Sequence, residues 1–225
     1  MKLCRAPQSC SLLLLLACSR PDAQLDASLY QDDGAGFGLI RPGIEVLLED
    51  SIHLVAGRRV GLITNQTGVD SSGRSSIDRI HEHPDVDLVA LFAPEHGIRG
   101  TADPGATIAN DVDVETGVPI YSLYGAVLSP TPEMLDGIDV LLVDYQDIGA
   151  RYWTYVSTMT LAMESAAEQG IPVVVLDRPN PIGGAVQGNV LDPAFATFVG
   201  RYPLAMRHGM TLGELARYYR GEVGI

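Results

Sequence analysis

Glu95, His96 and Arg99 stand together in the segment Ala93-Pro94-Glu95-His96-Gly97-Ile98-Arg99-Gly100, directly after an apolar run at 88–92. A carboxyl group, an imidazole and a guanidinium in one short loop can exchange protons and hold an anion. The run before them reads as a buried strand. In open α/β sheets, ligands bind in the crevice just past the carboxyl ends of the strands. Glu95 is therefore the leading candidate for a general acid. A carboxyl group among apolar walls keeps its proton to higher pH than a solvated one, which suits acid catalysis near neutrality. The competing reading is a surface or helix-capping glutamate. His96 either touches substrate, orients Glu95 or serves the fold.

Three further apolar runs also end in polar groups. The first, at 59–64, leads into Asn65-Gln66-Thr67-Gly68. The run at 139–143 leads into Asp144, Asp147, Arg151, Tyr152, Trp153 and Tyr155. The run at 172–176 leads into Asp177, Arg178, Pro179, Asn180 and Pro181. In a parallel sheet all four loops converge on one edge, which is the physical argument for a site there. Asp144 or Asp147 would be a second catalytic carboxylate; capping the following helix is the other role open to Asp147. Arg99 and Arg151 suit a bidentate grip on a carboxylate, or a structural ion pair. Tyr152, Trp153 and Tyr155 suit the apolar face of a sugar, or a core. Asn65, Asp177 and Asn180 would bind hydroxyl or amide groups, on loops that the prolines stiffen.

The elements that must position these residues follow from periodicity. Helical patterns occur at 44–56, 75–83, 131–135, 150–169 and 211–220, with a short strand at 119–123. Ser75 and Thr131 are placed to cap, and Pro132 suits a first turn. Continuous Val/Ile/Leu strands alternating with helices imply an α/β fold with a mostly parallel sheet covered on both faces. No G-x-G-x-x-G follows a strand and there is no P-loop, so no nucleotide or dinucleotide cofactor is expected. His81 and His83 lie on another segment, and no metal-ligand spacing emerges.

The 225 residues are 46% hydrophobic and 19% charged, the balance of a globular chain. The net charge of -13 argues against nucleic acid or an anionic membrane surface as a partner. The cysteines are Cys4, Cys10 and Cys18, so the chain after them offers no thiol nucleophile or disulfide. Lys2 and Arg5 precede five leucines at 12–16 and then Ala17-Cys18-Ser19. This is an export signal, too short to span a bilayer. Leu15-Leu16-Ala17-Cys18 is similar to a bacterial lipobox, with Cys18 the lipidated residue. The expected organisation is signal and lipobox at 1–18, a polar tether at 19–42, and a catalytic domain at 43–225.

From residue 43 onward the motifs TNQTG, FAPEHGIRG, DYQDIGARYWTY, LDRPNPIGG and RHGMTLGELA together resemble the exo-β-N-acetylmuramidase (NamZ-type) glycosidases, long catalogued as a domain of unknown function. The resemblance implies a three-layer Rossmann-like domain, then a smaller C-terminal domain, with the site in a cleft between them. It implies release of terminal N-acetylmuramic acid from peptidoglycan fragments, with Glu95 as the catalytic residue. The chain stops at Ile225, so most of that second domain is expected to be missing. Muramic acid carries a lactyl carboxylate, a reason for arginines beside an acid. An exported, periplasmic or lipid-anchored location suits a cell-wall substrate. The alternative is a non-catalytic lipoprotein that captures muropeptides in the same crevice. An esterase ranks last, since no G-x-S-x-G elbow is present.

Overall fold

The computed structural model describes residues 40–100 and 109–224. The expected signal with Cys18, and most of the expected tether, lie outside the described residues. The strands are β1 (Arg59–Thr64), β2 (Asp87–Ala93), β3 (Asp111–Val112), β4 (Pro119–Ser122), β5 (Val140–Asp144), β6 (Val173–Val175), β7 (Gln187–Val190) and β8 (Ala205–Arg207). The helices are α1 (Gly43–Asp50), α2 (Ser76–His81), α3 (Pro132–Leu135), α4 (Thr154–Glu168) and α5 (Leu212–Tyr218). One sheet runs in the order β3-β4-β2-β1-β5-β6, parallel throughout except for β3. It is the Rossmann-like α/β sheet expected from the apolar runs.

Successive side chains of a strand point to opposite faces, and here both faces are dry. Val60, Leu62, Val140 and Leu142 pack against Ile44 and Leu47 of α1 and Ile77 and Ile80 of α2. Ile63, Leu141 and Val143 pack against Leu135, Val156, Met159, Leu212 and Leu215 on α3, α4 and α5. Each such fully buried side chain stabilises the fold by about 1.5–3 kcal/mol, and the charged residues of these strands stand at their ends, Arg59 and Asp87 at the start of β1 and β2 and Asp144 at the end of β5. β1 is central, and the chain turns one way to β2 and the other way to β5. Thr64 pairs with Asp144, so both strands end together at this switch point.

Local signals set the helix starts. The Ser75 hydroxyl accepts from Ile77 N and Thr131 accepts from Met134 N ahead of Pro132. Thr211 and Glu214 form a reciprocal capping box on α5. Two boundaries differ from expectation. The pattern at 44–56 breaks at Ser51 into α1 and a 3-10 turn, Ile52–Leu54. Helix α4 starts at Thr154 instead of 150, because Ala150 pairs with Arg207 and Arg151 N donates to Met206 O. Those residues give their backbone to the small antiparallel sheet β7–β8, which periodicity did not indicate.

Candidate active site

Strand β2 delivers Ala93 buried, and the chain then turns sharply at Pro94 to Gly97. His96 has φ +73° and Gly97 φ +76°. Among the described residues His96 is the single non-glycine in the left-handed region, a conformation costing an L-residue roughly 1–2 kcal/mol. Such strain survives where surrounding contacts fix it, and it gathers at functional turns. Here those contacts converge on Glu95. Tyr124 Oη donates to Glu95 Oε1 at 3.0 Å, Thr154 Oγ1 to Oε2 at 3.2 Å, and Tyr155 Oη to the Glu95 carbonyl at 3.2 Å. Thr154 is the first residue of α4, so the carboxylate lies at the electropositive end of a helix. The hydrogen bond to Glu95, and then burial, push the Tyr124 phenol above its ordinary pKa.

The loops that hold Tyr124 and Thr154 in place explain why the fold brings them here. Leu123 N donates to Ala93 O at 2.8 Å, and Ser122 Oγ donates to Tyr124 O at 3.0 Å. Tyr145 Oη donates to Tyr155 O at 2.9 Å, with the two rings 5.0 Å apart. Trp153 meets Tyr155 edge-on at 5.1 Å. Of the aromatic cluster, Tyr155 is buried in this packing and Tyr152 stands 55% exposed. Asn65 is buried; its Oδ1 accepts from the Thr67 N–H and hydroxyl. Its Nδ2 faces the Tyr155 hydroxyl without closing a well-formed bond.

Asp144 is not where a catalytic group must be. It has no exposed surface, and its carboxylate takes Arg178 Nε at 2.8 Å on one oxygen and the Ser76 hydroxyl on the other. Burial pushes its carboxyl up, opposed by Arg178 and Ser76. Thr64 Oγ1 donates to the Asp144 carbonyl at 2.6 Å, and Gln146 N donates to Thr67 Oγ1 at 2.8 Å. The switch point between β1 and β5 is thus sealed by polar bonds. A side chain on Gly68 would collide with Thr64 Oγ1 and the Asp144 carbonyl, so glycine is required there.

The other expected site residues are committed to the fold. Arg99 bridges Asp78, Asp113 and Glu115, so its charge is already outweighed. Arg151 Nη1 donates to the carbonyls of Asn189 and Leu204 at 2.8 and 2.6 Å, fastening β7–β8. Arg99 is thus no free anion clamp, whereas Arg151 is held through one nitrogen by neutral carbonyls. Asp147 is 3% exposed; its Oδ2 accepts from Gly149 N and lies 3.2 Å from His208 Nε2. That is a turn and a buried pair, neither a cap on α4 nor a substrate contact. Asp177 holds Thr211 Oγ1 and Gly213 N at the start of α5, and Asn180 bonds Met210 O and Ile182 N. Both belong to a cleft of about 570 Å³ at the end of β6, which does not include Glu95. Glu95 and His96 are partly buried, as a group that meets solvent and substrate should be. Among the described residues no His/Cys/Asp/Glu group could hold a metal ion.

Sequence reasoning missed Tyr124 and Thr154 as partners of Glu95. Tyr124 lies 29 positions from Glu95 and Thr154 59 positions, and no local pattern links either to it. Only the strand order supplies that contact.

The family model described as exo-beta-N-acetylmuramidase NamZ, N-terminal, matches residues 60–225. The chain is 51% identical over 187 residues to the peptidoglycan beta-N-acetylmuramidase NamZ of Bacillus subtilis (strain 168), covering 83% of this chain and 45% of that protein. Two crystal structures of DUF1343 family proteins from Bacteroides fragilis NCTC 9343 share the fold. One superposes with a TM-score of 0.75 at 52% identity, over 81% of this chain and 46% of the other. The second gives 0.70 at 36% identity, over 81% and 47%. The chain spans about half the length of these relatives. With a match across most of its length, the chain belongs to the family of NamZ exo-β-N-acetylmuramidase N-terminal domains.

Proposed function

We propose that this chain carries the catalytic acid of an exo-acting glycoside hydrolase that releases terminal N-acetylmuramic acid from peptidoglycan fragments. The observation that carries the reading is Glu95. It is a partly exposed carboxylate at the end of a central strand, with each oxygen fixed by a hydroxyl. Glycoside hydrolysis needs a carboxylic acid to protonate the leaving oxygen as the bond to C1 breaks. Glu95 donates that proton, and His96 beside it contacts the sugar or the leaving group. Neither Asp144 nor Asp147 has the surface to reach C1. The substrate's own acetamido oxygen then takes the place these two carboxylates cannot. Likewise the lactyl carboxylate needs a cation other than Arg99, which Asp78, Asp113 and Glu115 already hold.

The relative in Bacillus subtilis bears the name of a peptidoglycan beta-N-acetylmuramidase, which supports the substrate class. The basic start, the leucines at 12–16 and Cys18 support export and a lipid anchor in the cell envelope. The test uses the protein encoded by the complete reading frame, given β-glycosides of N-acetylmuramic acid and of N-acetylglucosamine. Release of muramic acid alone is the expected result. Tight muropeptide binding with no turnover of either glycoside would replace the enzyme with a capture protein.

A further inference from the structure

Both oxygens of Glu95 are taken by neutral hydroxyls of different chemistry, a phenol on Oε1 and an alkyl alcohol on Oε2. We propose that Tyr124 and Thr154 are the positioning residues of the glycosidic acid, Tyr124 as a fixed donor to Oε1 and Thr154 as the reversible partner of Oε2, so that the transferred proton is carried on Oε2. The proposal rests on the reading of Glu95 given above.

The two hydroxyls differ in what they can do. A phenol is a stronger donor and a poorer acceptor than an alcohol, because its oxygen lone pair is shared with the ring. The Tyr124 phenol also keeps its proton above the usual range, through its bond to Glu95 and then through burial. Its place is rigid. Leu123 N is held by Ala93 O, the Tyr124 N–H donates to Ser122 Oγ at 3.2 Å, and its ring lies 6.4 Å from that of Phe198. Thr154, by contrast, carries a hydroxyl that rotates and both gives and accepts hydrogen bonds. When Glu95 is protonated, Thr154 accepts the Oε2 proton; when Glu95 is ionised, Thr154 donates to Oε2. In the reaction the proton leaves Oε2 for the glycosidic oxygen while the C1–O electron pair stays with the departing sugar. Water supplies the hydroxyl that ends on C1, and its remaining proton returns Glu95 to the acid form.

The test compares Tyr124→Phe, Thr154→Val, Thr154→Ser and Glu95→Gln in the protein encoded by the complete reading frame. Two substrates are used: N-acetylmuramic acid β-linked to N-acetylglucosamine, whose leaving oxygen must be protonated, and the 4-nitrophenyl β-glycoside, whose leaving group needs little help. A hydrogen bond to a charged group is worth about 1.5–3 kcal/mol, so each of Tyr124→Phe and Thr154→Val lowers kcat on the disaccharide roughly 10- to 100-fold. KM stays nearly constant, the nitrophenyl substrate suffers far less, and Thr154→Ser restores most of what Thr154→Val loses. Equal losses on both substrates would mean a merely structural role and overturn the proposal. Full activity of Tyr124→Phe and Thr154→Val beside an inactive Glu95→Gln overturns the positioning alone, and a fully active Glu95→Gln overturns the reading of Glu95. Independently of turnover, the Tyr124 ring-carbon resonance, identified by its loss in Tyr124→Phe, titrates at lower pH in Glu95→Gln. An unmoved titration would refute the contact.

Discussion

Arg178→Met removes one member of the buried pair that seals the sheet's switch point while keeping an unbranched, neutral stem in its place. The Asp144 side chain is 0% exposed and that of Arg178 8%. The arginine gives Nε to Asp144 at 2.8 Å and Nη2 to the Val69 carbonyl at 2.8 Å. Breaking a buried pair by deleting one partner costs about 3–5 kcal/mol, because the remaining charge has neither water nor a counterion. In a domain of this size that is a fall in Tm of roughly 6–20 °C. The pH dependence is signed. Burial already raises the Asp144 carboxyl, and Arg178 pulls against it; without Arg178 it rises further. A carboxyl whose folded pKa is raised contributes stability that is complete below its unfolded value and lost as pH climbs through the folded one. The variant is therefore closest to wild type in acid and falls away from it toward neutrality. Denaturant unfolding of both proteins, near the unfolded carboxylate pKa and again near neutral pH, measures this. Asp144→Asn in the Arg178→Met background should recover part of the loss at neutral pH. A cost under about 1 kcal/mol, or one independent of pH, would refute the account of the sealed switch point.

Gly68→Ala pushes a Cβ into Thr64 Oγ1 and the Asp144 carbonyl and should cost about 1–3 kcal/mol, read by thermal unfolding. Arg99→Gln should leave KM for a muramic acid glycoside unchanged, since Arg99 is spent on Asp78, Asp113 and Glu115. Its cost is in stability. Burial raises the Asp113 carboxyl, but Arg99 and Thr116 outweigh it and hold it below the usual range. That contribution is present above the unfolded carboxylate pKa and disappears as pH falls through the folded one, so the variant and wild type should converge in acid unfolding.

The central parallel strands β1, β2 and β5 were legible because each is a mostly apolar run buried on both faces. The caps at Ser75 and Thr131 were legible because capping is chemistry within three residues. Strand β7 was not, since all four of its residues are exposed and carry no alternation. The roles of Arg99, Arg151 and Asp144 were open for a different reason. A guanidinium or a carboxylate beside a strand end reads the same whether it meets a ligand or a buried partner. The partner, Asp113 for one and Arg178 for another, is fixed only by packing. Glu95 was legible as a carboxylate at a strand end. Its hydroxyl partners and the left-handed His96 that aims it were not.

The most direct measurement is the turnover number of Glu95→Gln on the N-acetylmuramic acid disaccharide, in the protein encoded by the complete reading frame and with its fold verified by circular dichroism. General acid catalysis contributes about 10²–10⁴-fold, so the account predicts a loss of that size with unfolding temperature near wild type. Turnover within a few-fold of wild type would contradict it.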